Sequence, residues 1–222
     1  RRGEREPLQH IIGSTSFCGL EITVNRNVLI PRPETEILAE LGWTFLRELN
    51  SPTPTAVDFA TGSGCIAIAM AHHCPAAQIY ALDISPAALE TAGENARKQN
   101  VADRINFLQS NGLEALSANE RFNLIISNPP YIPHSEIATL DPEVRIFDPV
   151  LALDGGEDGL NFYRTLAQQA GQFLLPKGKI MLEFGDGQAK DLESIFEREG
   201  WLVEKIQKDY TQRDRFLVAS LT

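Results

Sequence analysis

The sequence predicts an α/β fold in which a parallel sheet, covered by helices on both faces, is finished by an antiparallel hairpin. Three observations carry this. From Ala56 onward, short β-type runs alternate with helical periodicities, the pattern of strands joined by helical crossovers. The last two runs are joined only by the stretch from Lys208 to Arg215, too short for a crossover, so they pair antiparallel at a sheet edge. A glycine-rich loop separates the first of these strands from its helix.

The elements follow in order. Residues 11–24 read as a hairpin: an apolar stretch to Phe17, a turn at Cys18-Gly19, then Leu20, Ile22 and Val24 alternating with Glu21 and Thr23. After Pro31 and Pro33 a helical stripe begins at Glu34, carrying Ile37, Leu38, Leu41, Phe45, Leu46 and Leu49, and Ser51-Pro-Thr-Pro-Thr55 ends it. Strands are expected at Ala56–Ala60, Gln78–Asp83, Ile105–Gln109, Phe122–Ser127 and Lys179–Phe184. Helices are expected at Gly64–His73, Pro86–Gln99, Leu160–Leu174 and Gln188–Glu199, before closing strands at Leu202–Gln207 and Phe216–Ser220. The segment 128–159, rich in Pro, Asp and Gly, has no periodicity. A loop that long inside a compact domain marks a functional cover.

Composition bounds the rest. A chain of 222 residues suits one domain with a small attachment, and it needs neither disulfide nor metal to hold a core. With 43% hydrophobic and 23% charged residues it is neither disordered, collagen-like nor a coiled coil. The longest unbroken apolar run, Cys65–Ala71, falls far below the ~20 residues of a membrane helix, so no membrane partner is expected. The opening Arg-Arg-Gly-Glu-Arg-Glu has no apolar core for a signal peptide and no Met, so the native start is expected upstream. Thirty acidic against twenty basic residues give a net charge of −10, opposite in sign to the surface that duplex DNA selects; no direct nucleic-acid partner is expected. Cys18, Cys65 and Cys74 are odd in number and lack a C-x-x-C pair, which reads as reduced thiols of a cytoplasmic protein. His10, His72, His73 and His134 lack metal-ligand spacing, so no metal site is expected.

Two motifs carry chemistry. In Asp58-Phe-Ala-Thr-Gly-Ser-Gly64, glycines let the backbone turn tightly and approach a ligand, and the following helix start favours negative charge. Asp83 ends the next strand, where doubly wound sheets reach the ribose hydroxyls of a nucleoside ligand. Gly62-Ser-Gly64-Cys-Ile-Ala67 also satisfies G-x-G-x-x-A, so a nicotinamide oxidoreductase competes with an S-adenosylmethionine enzyme. Asp58 favours the latter, because a carboxylate suits an ammonium group and repels a pyrophosphate.

The second motif is Asn128-Pro129-Pro130-Tyr131, at the end of the fourth strand. Two prolines fix φ and remove two N–H donors, leaving a stiff loop of carbonyls between an amide and an aromatic ring. An NH₂ group on a planar system fits here, its hydrogens on the Asn128 side-chain oxygen and the Pro129 carbonyl, its plane on Tyr131. Holding both hydrogens aims the weakly nucleophilic lone pair at an electrophilic methyl group. The competing reading is a structural turn.

These residues resemble the HemK/PrmC family, which methylates the glutamine nitrogen of the Gly-Gly-Gln motif in peptide chain release factors. The similarity runs through Glu6-Pro-Leu-Gln-His-Ile-Ile-Gly13, Val28-Leu-Ile-Pro-Arg-Pro-Glu-Thr-Glu36, Asp58–Gly64, Asp83-Ile-Ser-Pro86 and Ser127-Asn-Pro-Pro-Tyr-Ile-Pro133. It continues through Glu143-Val-Arg145, Leu153-Asp-Gly-Gly-Glu-Asp-Gly-Leu160 and Arg213-Asp-Arg215. Asn-Pro-Pro-Tyr alone is shared with adenine-N6 methyltransferases of nucleic acids, which stay the same-fold alternative.

The resemblance implies a class I S-adenosylmethionine-dependent methyltransferase: Rossmann-like, with a seven-stranded sheet and a C-terminal antiparallel hairpin, plus an N-terminal β-hairpin. Residues 1–33 then form linker and hairpin, and 34–222 the catalytic domain. It implies S-adenosylmethionine as cofactor, S-adenosylhomocysteine as product and a release factor as protein partner; the sequence leaves the oligomeric state open, with a monomer expected. Cofactor contacts are expected from Arg32, Pro33, Glu34, Thr35, Asp58, Ala60, Thr61, Gly62, Ser63, Gly64, Asp83, Ile84, Asn111, Gly112 and Asn128, and catalysis and substrate binding from Asn128, Pro129, Pro130 and Tyr131. The chain departs from the family at Phe59-Ala60, where Leu-Gly is usual, and at Asn111, in a region where the family usually has Asp. The sequence begins where the linker to the family's N-terminal helical domain should be, so the expectation is that this domain was either trimmed away or lost.

Overall fold

A computed structural model describes residues 1–221. The β-type runs become a seven-stranded sheet because their apolar side chains point to both faces. In β6 (Phe122–Ser127), Leu124 and Ile126 enter one core and Ile125 the other. The strands before it are β3 (Thr55–Phe59), β4 (Gln78–Asp83) and β5 (Ile105–Gln109), and those after it β7 (Leu174–Glu183), β8 (Trp201–Lys208) and β9 (Asp214–Leu221). Their order is β5-β4-β3-β6-β7-β9-β8, with the first five parallel and β9 antiparallel to both β7 and β8. The order reverses between β3 and β6. At such a switch point the crossovers leave in opposite directions and a crevice opens beyond the carboxyl ends of the strands.

Helices α2 (Thr35–Glu48), α3 (Cys65–His73) and α4 (Pro86–Lys98) cover one face; α6 (Asn161–Gln169) and α7 (Ala189–Arg198) cover the other. The N-terminal hairpin, β1 (Ser14–Phe17) and β2 (Leu20–Thr23), turns through Cys18 and Gly19, both at positive φ as a two-residue hairpin turn requires. Its Phe17 and Ile22 sink into the core shared with α3 and β4, so the hairpin is fastened to the sheet domain.

Most boundaries shift by only a residue or two from the sequence reading, and three differ by more. Ile11 and Ile12 belong to a short helix, α1 (Leu8–Ile12), capped by Gly13 at φ 89°, and the hairpin begins only at Ser14. Strand β7 starts at Leu174 rather than Lys179; Pro176, Lys177 and Gly178 look like a turn but form an irregularity within the strand, with Lys177 at φ 67°. The helix expected to reach Leu174 stops at Gln169 and tightens into a 3₁₀ turn. The aperiodic segment 128–159 carries two 3₁₀ turns and the short helix α5 (Pro142–Arg145), and is tied back by a bridge between Ile132 and Asp154. Among the described residues no helix is long and apolar enough to cross a membrane.

The β8–β9 turn supplies a pH test of the fold. Buried Asp209 accepts hydrogen bonds from the Thr211 and Arg213 backbones, the Thr211 hydroxyl and Arg215, which in turn donates to the Phe184 carbonyl. Burial alone would raise this carboxyl; the donors outweigh it and hold it at about 2. A depressed folded value stabilises above the ordinary carboxylate range and is lost as pH falls through about 2. Asp209→Ala should therefore destabilise by about 3 kcal/mol at neutral pH, and the gap between wild type and variant should close in thermal melts toward pH 2.

Candidate active site

The chain after β3 reverses sharply. Ala60 lies at φ 57°, Gly62 at 56° and Gly64 at 79°, the last starting α3. Ala60 occupies a left-handed conformation that costs a non-glycine residue roughly 1–2 kcal/mol. At Gly64 a side chain is excluded outright, since a Cβ would stand 2.9 Å from that of Ala92 on α4. The loop is pinned from both sides: Thr61 N–H donates to the Leu82 carbonyl, and Gly62 N–H donates to Asp83 Oδ2 at 2.8 Å.

A cavity of about 320 Å³ opens at the carboxyl ends of the strands. Its wall is assembled from Ala60–Ser63 after β3, Asp83–Ser85 after β4, Ser110–Gly112 after β5, and Asn128 and Pro130 after β6. Arg32 and Thr35 close it from the N-terminal side, and Pro149–Ala152 and Asp154 from the segment after β6. Arg32 donates to Asp148 Oδ2 at 2.8 Å, clasping these two flaps together. The aperiodic segment is thus a cover over the cavity.

Most of the expected ligand contacts converge here: Arg32, Thr35, Ala60, Thr61, Gly62, Ser63, Asp83, Ile84, Asn111, Gly112 and Asn128 all border the cavity. Pro33, Glu34, Gly64, Pro129 and Tyr131 stand beside it rather than on its wall. Asp58 is displaced most from its expected role. It is fully buried behind the loop, where Oδ2 accepts from the Thr61 hydroxyl (2.6 Å) and the Ala67 N–H (3.1 Å). It caps α3 from beneath instead of facing a ligand's ammonium group, and burial pushes its carboxyl up to about 7.

The wall fits S-adenosylmethionine. A Cβ added at Gly62 or Gly112 would meet nothing within 4 Å, so the backbone lies open to a ligand at both points. Asp83 offers carboxylate lone pairs beyond those used by Gly62 and Ser85, in a position that suits ribose hydroxyls. Burial raises its carboxyl, opposed by those backbone donors.

At the carboxyl end of β6 the tetrapeptide is held rigidly. Asn128 Nδ2 donates to Thr35 Oγ1 at 3.2 Å, and Thr35 Oγ1 donates to Glu183 Oε2 at 2.7 Å. Among the described residues no protein donor reaches Asn128 Oδ1 or the Pro129 carbonyl. Tyr131 packs toward the second core over Gly185, and burial pushes its phenol up to about 12. The cover presses against it: a Cβ at Gly155 would lie 2.8 Å from Tyr131 Cα, and one at Gly159 only 2.2 Å from the Tyr131 carbonyl oxygen. Gly159→Ala should therefore displace the tetrapeptide and lower turnover, with a thermal midpoint reduced by several degrees; unchanged kinetics would show that the contact is slack. Gly159 sits at φ 77°, which adds backbone strain to the clash.

Sequence reasoning missed Glu183 and Asp148. The signal for Glu183 was a lone acid in the apolar run Ile180-Met-Leu-Glu-Phe184, which marks a buried charge in need of a purpose.

A family model described as Methyltransferase small domain matches residues 42–144. The chain is 42% identical over 219 residues to the release factor glutamine methyltransferase of Agrobacterium fabrum, a match covering 98% of this chain and 75% of that protein. It is 44% identical over 202 residues to the enzyme of the same name from Geobacter sulfurreducens, covering 90% and 68%. Among solved structures, the ribosomal protein L11 methylase of Lactobacillus delbrueckii subsp. bulgaricus superposes with a TM-score of 0.64 at 21% identity, over 88% of this chain and 82% of that one, which bears on the fold alone. Identity at this level over nearly the whole chain, on a class I methyltransferase sheet, places the chain in the release factor glutamine methyltransferase family.

Proposed function

We propose that this enzyme methylates the side-chain amide nitrogen (N5) of the glutamine in the Gly-Gly-Gln motif of peptide chain release factors, leaving S-adenosylhomocysteine. One observation carries the reading: Asn128 borders the cavity with an oxygen that, among the described residues, no protein donor reaches, beside the equally free Pro129 carbonyl. Two acceptors side by side suit the two hydrogens of a primary amide.

S-adenosylmethionine, when bound, supplies a methyl group made electrophilic by a sulfonium. The protein's part is to hold and orient. Asp83 serves the ribose, Ile84, Asn111 and Gly112 the base, and the Thr61–Ser63 backbone with the start of α3 the carboxylate end. Asn128 Oδ1 and the Pro129 carbonyl each take one amide hydrogen, which turns the nitrogen lone pair toward the cavity. Pro130 stiffens the loop, and Tyr131 anchors it to the core. No side-chain base is needed to begin, because the amide proton becomes acidic only as nitrogen is alkylated; the sulfur–methyl bond breaks as the nitrogen–methyl bond forms, and the surplus proton then leaves to water. Residues 34–222 form the catalytic domain and residues 1–33 its linker and hairpin. The enzyme works as a monomer in the cytoplasm, where release factors act.

A paired peptide assay tests this. A peptide containing Gly-Gly-Gln should gain one methyl group, and the same peptide with Gly-Gly-Glu should gain none, since a carboxylate has no hydrogens to give. Equal methylation of both would contradict the proposed grip.

A further inference from the structure

Behind Asn128 lies a buried acid that neither the fold nor cofactor binding requires. Glu183, the last residue of β7, is fully buried; its Oε2 accepts from Thr35, and its Oε1 has no partner. An unpaired carboxylate oxygen in a core is costly, so the position must earn its place otherwise.

The donor arithmetic shows how. A threonine hydroxyl has one hydrogen. If Glu183 accepts it, Thr35 Oγ1 can only accept from Asn128, which requires Nδ2 to face Thr35 and leaves Oδ1 for the substrate. Without that constraint the Asn128 amide can turn over and present two hydrogens to the substrate's two hydrogens. We propose that Glu183, acting through Thr35, is a positioning residue that fixes the Asn128 amide with its oxygen toward the substrate amide. This rests on the reading that Asn128 grips the glutamine.

The surroundings make the relay titratable. Burial pushes Glu183 up to about 8, against the Thr35 hydrogen bond, with Glu34 raising it further and Arg215 and Arg32 opposing. The Tyr131 and Tyr163 phenols, both raised by burial, also face it, and Tyr163 donates to its backbone carbonyl at 2.8 Å. The ionised carboxylate compels Thr35 to donate. Once protonated, Glu183 can donate to Thr35 instead, and the Thr35 hydrogen becomes free to turn the amide over.

A double-mutant cycle with a pH profile decides it. Thr35→Val, which removes the hydroxyl at nearly constant volume, should lower kcat about 10–100-fold, whereas Thr35→Ser should stay near wild type. In an Asn128→Ala background the Thr35→Val change should cost less than about twofold, because the group it positions is gone. Wild-type kcat should rise as pH passes through about 8, and Glu183→Gln, folded by its thermal melt, should lose that inflection. A full Thr35→Val effect in the Asn128→Ala background would overturn the relay, as would wild-type kcat for Thr35→Val. A flat wild-type profile, or an inflection that survives Glu183→Gln, would overturn the part assigned to Glu183. Failure of the underlying reading looks different, since Asn128→Ala would then match wild type.

Discussion

Replacing Asn128 with alanine should lower the methylation rate about 10²–10³-fold, the usual cost of one preorganised polar contact at a reacting group. The fold should survive. Asn128 is only half-buried, and among the described residues its side chain bonds to Thr35 rather than into the sheet. The loss should appear in single-turnover rates at saturating cofactor, where any change in S-adenosylmethionine affinity drops out. From sequence alone Asn128→Asp looks milder than alanine, because a carboxylate still accepts a hydrogen bond. The structure reverses that expectation: aspartate has no hydrogen to give Thr35 and sets a second carboxylate near Glu183. Asn128→Asp should therefore do no better than alanine. Wild-type rates for both variants would reduce the tetrapeptide to a turn.

The second large effect belongs to Asp83. If Asp83 accepts both ribose hydroxyls as proposed, Asp83→Ala removes two hydrogen bonds to a charged group, each worth roughly 1.5–3 kcal/mol. Affinity for S-adenosylmethionine should fall about 100-fold or more. The substitution also frees the Gly62 and Ser85 N–H groups, so the glycine loop should loosen as well. Calorimetric titration checks the affinity, and a thermal melt separates the two losses. Undiminished binding, or tight binding of NADH by the wild type, would contradict the cofactor assignment.

The sheet was legible because its strands are short apolar runs between helical periods. Gln78–Asp83, Ile105–Gln109 and Phe122–Ser127 have the bounds that patterning expects. Its strand order was not legible: that the glycine loop and Asn128 end neighbouring strands, β3 and β6, with the switch point between them, appears only in the folded sheet. What sequence could not show was direction. Asp58 has the right charge and place for a ligand contact, yet its side chain turns inward, because Thr61 and the start of α3 lie closer. Glu183 was invisible for the converse reason. Its partner Thr35 lies 148 residues away in the chain, and only the closed sheet brings them together. The cover's glycines likewise resemble flexible loop until Gly155 and Gly159 are seen against Tyr131.

Methyl transfer to a defined nitrogen is the centre of this account, and one experiment addresses it. The protein is incubated with methyl-labelled S-adenosylmethionine and, in separate reactions, a release factor, duplex DNA and RNA, and the labelled product is mapped by mass spectrometry. Label on the glutamine of Gly-Gly-Gln in the release factor, with none on either nucleic acid, is the predicted result. Label on adenine, or on a release-factor residue other than that glutamine, would contradict it.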